Sequence, residues 1–407
     1  MLPTDTRQYS LALAEMNWLR ALICGAAYHD DSVTGRALTC FDSVLNRRIR
    51  LSTENRCIRE AIPAKDVHFH PTAEILSGLL SNFGLKKSSE YSNDAIFSKL
   101  DRAASRKLRM TDRLVIGRED CCLQTFRAGH RVGAIALYDL PTAHHLAVRR
   151  IRNVEQLAFP TAEAIEVDSS PFRHDRLNRK DREIETADHI LVPSHFVKQS
   201  LVKAKIDSAK VSVVPYGCET GRAFHPQRTR ENTVLYVGRL SRAKGIPRLL
   251  RVWKKLGAYR THTLRLIGKQ FLQPSFLADY AGMYEHIPNM PRSELWQHYS
   301  VAQLFVFPSA CDGFGLVLNE ALSCGTPIIA SSNTGVPGFI TEGVEGVTYE
   351  HGDDEALATH LEQMLSNPKR TAEMGRAAYE FAQFNGWVRY RASIRDLVER
   401  LLGKCYV

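Results

Sequence analysis

The stretch from Phe305 to Ala330 constrains this chain more than any other: Phe-Val-Phe-Pro-Ser-Ala-Cys-Asp-Gly-Phe-Gly-Leu-Val-Leu-Asn-Glu-Ala-Leu-Ser-Cys-Gly-Thr-Pro-Ile-Ile-Ala. Leu304 to Phe307 is an apolar run short enough for a buried strand. A loop with Gly313 and Gly315 follows, then a helix-like segment, Leu316 to Ser323, stopped by Gly325. A second apolar strand, Ile328 to Ala330, closes the unit. Strand, glycine loop, helix and strand make half of a parallel α/β sheet.

Such a loop delivers unpaired N–H groups to a helix start, where negative charge is favoured. The donors are those of Gly313, Phe314, Gly315, Leu316 and Val317. Two acids flank them, Asp312 in the loop and Glu320 inside the helix. A carboxylate does not help to bind phosphate, but it can accept from two vicinal hydroxyls at once. The stretch therefore reads as a site for a ligand with both phosphate and sugar. The plainer alternative is a strand-loop-helix that binds some other phosphate, or nothing.

The detailed pattern narrows the choice. Pro-Ser-x-x-Asp-Gly-Phe-Gly-Leu-Val-x-x-Glu-Ala-x-x-Cys-Gly-x-Pro, from Pro308 to Pro327, resembles the nucleotide-sugar motif of the retaining glycosyltransferases of family 4. That family has two glutamates seven residues apart. Asp312 and Glu320 keep the spacing with Asp as the first acid. The resemblance implies Glu320 on the ribose hydroxyls and Asp312 on the transferred sugar.

The length, 407 residues, suits two domains, and an apolar content of 44 % suits real cores. No apolar run reaches the ~18–20 residues of a membrane span, and Met1 to Ser10 lacks a signal-peptide pattern. Nine scattered cysteines read as reduced thiols of a cytoplasmic protein, with Cys121 and Cys122 as packing residues.

The net charge of +10 gathers in the first half: Arg47, Arg48 and Arg50; Arg149, Arg150 and Arg152; and Arg173, Arg176, Arg179, Lys180 and Arg182. A basic face can meet anionic lipid or nucleic acid, or simply be solvated surface, the default for any single cluster. No nucleic-acid motif accompanies the charge, so nucleic acid ranks last. Peripheral contact with the inner face of a membrane is the sharper expectation.

In chain order, Thr4 to Leu22 reads as a helix with Leu11, Leu13, Ala14, Trp18 and Leu19 on one face. Only Met1-Leu-Pro precedes it, where a doubly wound domain begins with a strand. The expectation is a first strand that is missing or shortened, through a start inside an ancestral domain or a shortened sequence. Residues 31–63 show little pattern, and Leu76 to Leu80 suit a helix. Ala134 to Leu137 is a strand that exits through Tyr138-Asp-Leu-Pro-Thr-Ala-His-His145. Ligands gather at such strand ends, which makes Asp139 and His144, and less so His145, catalytic candidates. In the family a polar residue there, often His, faces the transferred sugar.

Ala187 to Ser194 and Val211 to Cys218 each read as a strand and its exit. The charged linker Arg228 to Asn232 then places a domain boundary between Pro215 and Asn232. The expected organisation is 1–215, an acceptor-side domain; 216–385, a nucleotide-sugar domain; and 386–407, a closing helix. In the second domain a strand ends at Gly238 and is followed by Arg239-Leu-Ser-Arg-Ala-Lys244-Gly. This is again the family pattern. Arg239 offers a planar fork and Lys244 a mobile point charge, both suited to a diphosphate. Two surface cations beside a turn are the bland alternative. Ile287 lies in a segment resembling the one whose backbone touches the nucleobase, and Asp353 or Asp354 reads as a helix cap rather than a metal ligand.

The resemblance runs from about Thr4 to Leu402 and is strongest after Asp188. It implies α/β architecture of GT-B type: two Rossmann-like parallel-sheet domains facing across a cleft, with the C-terminal helix crossing back. The implied activity is transfer from a UDP-, GDP- or ADP-sugar to a glycan or lipid-linked acceptor, with retained configuration and no cofactor. No Asp-x-Asp metal motif occurs in the chain. Arg239, Lys244 and the helix start are therefore expected to stabilise the leaving diphosphate. The alternatives are a nucleotide-sugar 2-epimerase of the same fold and a non-catalytic nucleotide-sugar binding protein.

Overall fold

The computed structural model describes residues 3–24, 28–29, 57–58, 62–69, 86–163, 173–221 and 230–403. The expectations for Arg47, Arg48 and Arg50, for Leu76 to Leu80 and for the linker at Arg228 fall outside this set. The chain divides into two compact units that interleave in sequence. The first comprises Met1–Asp139, Arg173–Leu191 and Tyr390–Val407; the second comprises Leu140–Phe172 and Val192–Arg389.

In the first unit, helix α1 (Thr4–Glu15) is shorter than its apolar pattern predicts. Asn17 adopts φ 56°, and the N–H groups of Asn17 and Trp18 close on Ala14 and Leu13. Asn tolerates this left-handed cap, so the helix stops there. Of the apolar residues assigned to the helix by period, Trp18 and Leu19 lie beyond its end, and Leu22 opens strand β1 (Leu22–Cys24). A parallel strand thus follows α1. Strands β2 (Tyr28–His29) and β3 (Cys57–Ile58) pair with each other, and β4 (Val67–Phe69) pairs with β1. Leu11, Ala14 and Leu19 pack on a small core of Leu22, Cys24, Ile62 and Val67.

Helix α2 (Lys86–Lys107), β5 (Leu114–Arg118), α3 (Leu123–Arg131) and β6 (Ile135–Asp139) come next. They are followed by α4 (His145–Ala158), α5 (His174–Thr186), β7 (His189–Val192), α6 (His195–Lys203) and β8 (Val211–Val213). β6 lies between β5 and β7 with all pairs parallel, setting Asp139 beside Arg118 and Leu191.

The second unit centres on a six-stranded parallel sheet. Its strands are β9 (Glu231–Val237), β10 (Thr263–Ile267), β11 (Glu285–Ile287), β12 (Ala302–Phe307), β13 (Ile328–Ser331) and β14 (Gly346–Tyr349). Their spatial order is β11-β10-β9-β12-β13-β14. All six residues of β12 are buried, as expected of a strand covered on both faces. The covering helices are α7 (Ile246–Leu256), α8 (Arg292–Val301), α9 (Leu316–Ser323), α10 (Asp354–Ser366) and α11 (Pro368–Phe384). Asp353 caps α10 by accepting from the Ala356 N–H at 2.9 Å. The last helix, α12 (Trp387–Gly403), passes from the second unit into the first after Arg389.

Residues 140–163 and 192–215 group with the second unit, unlike the division expected at Pro215. Ion pairs and backbone bonds explain it. Glu155 pairs with Arg248 at 2.7 Å, Glu163 with Arg242 at 3.7 Å, and the Gln273 N–H donates to the Ala162 carbonyl at 2.8 Å.

Candidate functional site

Strand order reverses beside β9: β10 and β11 extend one way and β12 to β14 the other. The carboxyl ends of β9 and β12 therefore form a topological switch point, where open α/β sheets bind ligands. The segment leaving β9 carries Gly238, Arg239 and Lys244; the segment leaving β12 carries Asp312 to Gly315. The sequence motifs thus converge on one end of one sheet.

A one-turn helix, Arg242–Lys244, ends at Gly245 with φ 71°. A Cβ at Gly245 would run into the Pro308 carbonyl oxygen, so only glycine lets this turn lie against the β12 exit. The contact delivers Lys244 to the loop, where its Nζ donates to Asp312 Oδ2. Asp312 Oδ1 also accepts from the Phe314 N–H at 3.2 Å. Lys244 Nζ stands 5.6 Å from the Phe307 ring centroid. Arg239 is exposed, with its guanidinium 5.9 Å from the Phe271 ring centroid, and its carbonyl accepts from Tyr236 OH at 2.9 Å. Among the described residues it forms no ion pair with an acid.

Gly313 lies directly on the Pro141 carbonyl, where a Cβ would collide, and its own carbonyl accepts from Ser194 Oγ at 2.6 Å. Gly315, at φ 88°, precedes the first turn of α9. The first N–H groups of a helix lack intrahelical acceptors, so Leu316 and Val317 present donors at a positive dipole end. Phe314 is buried, with its ring 5.0 Å from Tyr216 and 5.3 Å from Phe339. The loop backbone is therefore fixed from several sides.

Glu320 is buried on α9. Its Oε1 accepts from Arg292 Nε at 2.8 Å and its Oε2 from Tyr299 OH at 2.9 Å. Arg292 also pairs with Glu219 at 3.2 Å. Sequence reasoning missed Arg292 and Tyr299. The only available signal was that a buried carboxylate needs donors, and no local motif names them. Ile287 ends β11, and its carbonyl accepts from the Gly268 N–H at 2.9 Å.

Asp139 and His144 are both buried. Asp139 is 3 % exposed and pairs with Arg118 at 2.8 Å, and Arg118 also binds Asp5. Burial, with help from Asp5 and against Arg118, pushes the Asp139 carboxyl up to about 7. His144 is the N-cap of α4: its Nδ1 accepts from the Leu146 N–H at 3.3 Å, and its ring stacks on His145 with centroids 4.3 Å apart. Its own N–H donates to Ser200 Oγ at 2.9 Å.

The basic run on α5 is largely neutralised within the first unit. Arg173 and Arg179 pair with Asp94, Arg176 with Asp120, and Lys180 with Glu119. Arg149 and Arg150 on α4 are exposed. Burial pushes the Cys122 thiol well up, in keeping with a packing role. No helix among the described residues is long and apolar enough to cross a membrane.

Residues 219–381 match the profile of the family described as Glycosyl transferases group 1. A D-inositol 3-phosphate glycosyltransferase of Thermobifida fusca is 32 % identical over 174 residues, 39 % of this chain and 40 % of that protein. A GDP-mannose-dependent alpha-(1-6)-phosphatidylinositol monomannoside mannosyltransferase of Mycolicibacterium smegmatis is 28 % identical over 243 residues, 54 % of this chain and 63 % of that one. The chain spans about half the length of the curated relatives it matches.

Among solved structures, sucrose-phosphate synthase from Thermosynechococcus elongatus superposes with a TM-score of 0.56 at 21 % identity, covering 78 % of this chain and 79 % of that one. Anabaena Alr3699/HepE in complex with UDP-glucose gives 0.56 at 15 %, covering 75 % and 82 %. These likenesses show the fold, which is of GT-B type with two parallel-sheet domains. The switch-point segments thus lie within residues 219–381, the part of the chain that is similar to the group 1 glycosyl transferases.

Proposed function

We propose that this protein is a glycosyltransferase that moves a sugar from a nucleotide-sugar to a glycan or lipid-linked acceptor, retaining the anomeric configuration. The observation that carries this reading is the meeting of Lys244 and Asp312 at the switch point of the six-stranded sheet. A diphosphate laid on the α9 start would be met by Lys244, Arg239 and the N–H groups of Gly315, Leu316 and Val317. Gly238, Gly313 and Phe314 shape the backbone around it. Glu320 takes the ribose hydroxyls, the Ile287 segment the base and Asp312 the sugar. The leaving diphosphate oxygen accepts the acceptor's proton on the same face. Protein charge supplies the stabilisation, so the reaction needs neither metal nor cofactor. Asp139 and His144, at the carboxyl end of β6, are secondary catalytic candidates.

The M. smegmatis relative uses GDP-mannose by its name, and the Anabaena neighbour holds UDP-glucose; the donor here comes from that class. Work at the inner face of a membrane, from the cytoplasm, is part of the same proposal. The exposed outer face of α4, which carries Arg149 and Arg150, supports it.

Incubation with labelled UDP-, GDP- and ADP-sugars and a lipid extract tests the reading. Release of nucleotide with formation of a glycoside of unchanged anomeric configuration, undiminished by EDTA, is the expected outcome. An isomerised sugar would point to an epimerase, binding without turnover to a non-catalytic protein, and dependence on magnesium would overturn the metal-free route.

A further inference from the structure

Glu320 lies in the second turn of α9 with its carboxylate buried, and its two oxygens face different surroundings. Oε2 accepts from Tyr299 OH at 2.9 Å. Tyr299 is 0 % exposed on α8, its carbonyl accepts from Thr326 Oγ1 at 2.6 Å, and its ring lies against Phe305 with centroids 5.6 Å apart. This donor is fixed. Oε1 accepts from Arg292 Nε at 2.8 Å, and the Arg292 side chain is 51 % exposed, with its guanidinium 5.5 Å from the Trp296 ring centroid. That donor is long, solvated and able to yield.

A carboxylate held this way is oriented from the protein side and exchangeable on the solvent side. A carboxylate can accept from two vicinal hydroxyls at once, and a misplacement of ~1 Å in such a contact is costly. Packing alone would not need a tyrosine hydroxyl here, since phenylalanine fills nearly the same volume.

We propose that Tyr299 is the positioning residue for the hydroxyl-gripping carboxylate Glu320, with Arg292 as its exchangeable outer partner, so that α8 makes the site select ribonucleotides over deoxyribonucleotides. The inference rests on the reading of Glu320 as the ribose acid.

The test measures dissociation constants for UDP, GDP and ADP, then for the 2′-deoxy and 3′-deoxy forms of the tightest of the three. Wild type should prefer the ribo form by about ten-fold or more, and Glu320→Gln should erase that preference. Tyr299→Phe should lower it several-fold while leaving deoxynucleotide affinity unchanged, a change that mere loosening of the fold would not produce. Arg292→Ala removes the partner that the diol displaces and should leave the preference unchanged or raise it; a loss would show that Arg292 holds Glu320 in place rather than yielding. If Glu320→Gln erases the preference while Tyr299→Phe retains it in full, the positioning role is wrong and the ribose reading stands. If no nucleoside diphosphate binds wild type, or Glu320→Gln changes nothing, the ribose reading falls and the inference with it.

Discussion

Lys244 Nζ donates to Asp312 Oδ2 across the switch point between β9 and β12, linking the two segments that leave those strands. The pair is one-fifth exposed on each side. Under the proposed function, Lys244 would neutralise the carboxylate until a diphosphate competes for the cation, which would let one loop carry an acid beside a phosphate site.

This pairing sets the first prediction. Lys244→Ala should weaken nucleoside-diphosphate binding by about 10–100-fold, the worth of a hydrogen bond to a charged group. Asp312→Asn should leave that affinity unchanged or tighter, since it releases Lys244, while sharply lowering turnover. Asp312→Glu should keep substantial activity with altered sugar preference. Calorimetry and donor turnover separate the two effects. A fully active Asp312→Asn enzyme would reduce Asp312 to a partner of Lys244 and the Phe314 N–H.

The second prediction concerns Glu155, which lies on α4 and accepts from Arg248 at 2.7 Å and pairs with His351 at 2.9 Å. Burial raises its pKa, but the hydrogen bonds from His351 and Arg248 outweigh burial and hold it below the usual glutamate range. Its contribution to stability is therefore present above the unfolded pKa and lost as pH falls through the lower folded value. Arg248→Ala leaves a buried carboxylate without its main partner and should cost about 3–5 kcal/mol in chemical denaturation at pH 7. The deficit should shrink in acid. A loss under 1 kcal/mol would show that His351 alone suffices.

The second unit was legible because its signals are local. Arg239, Lys244, Asp312 and Glu320 each sit beside a strand exit or inside a short helix, and strand-loop-helix spacing places them without long-range knowledge. Arg292 and Tyr299 were not legible, since their value lies in touching Glu320 from another helix. The first unit shows a different failure. Leu19 and Leu22 continue the helical period of α1, yet Asn17 breaks it, and period alone does not register a left-handed cap. The pairing of the basic run on α5 was not legible for a third reason: its acids, Asp94, Glu119 and Asp120, are distant in sequence. The boundary at Pro215 missed the return of residues 140–163, for which Arg248 and Arg242 supply partners on another element.

Asp139 gives a pH prediction. Its carboxyl titrates near about 7 in the folded chain, chiefly through burial, whereas an unfolded aspartate titrates near about 3.9. A raised folded pKa means stability that is fully present below the unfolded value and lost as pH rises through 7. Asp139→Asn should therefore flatten the fall in Tm between pH 4 and 8 and should gain on wild type at the alkaline end. Asp5→Asn should act in the same direction, because it removes a negative charge that raises the Asp139 pKa. Parallel curves for wild type and both variants would show that Asp139 stays ionised through its pairing with Arg118.

The last prediction concerns the outer face of α4. Leu146, Val154 and Leu157 are 56 %, 51 % and 82 % exposed, and Arg149, Arg150 and Asn153 are exposed between them. At 100° per residue these six side chains fall on one face, opposite the buried Glu155. Apolar residues interleaved with arginine suit the boundary of an anionic membrane, where each basic residue contributes about 1 kcal/mol. Replacing Arg149 and Arg150 by Gln should lower partitioning onto phosphatidylserine vesicles roughly thirty-fold, and 0.5 M salt should do much the same to wild type, since screening then acts within a few ångströms. Leu157→Asp should lower partitioning at every salt concentration, because it removes apolar insertion rather than attraction. Tm should be unchanged in each variant, as none of these side chains is buried. Equal, salt-insensitive recovery of wild type with neutral and anionic vesicles would leave α4 an ordinary solvated helix and remove the membrane from the proposed function.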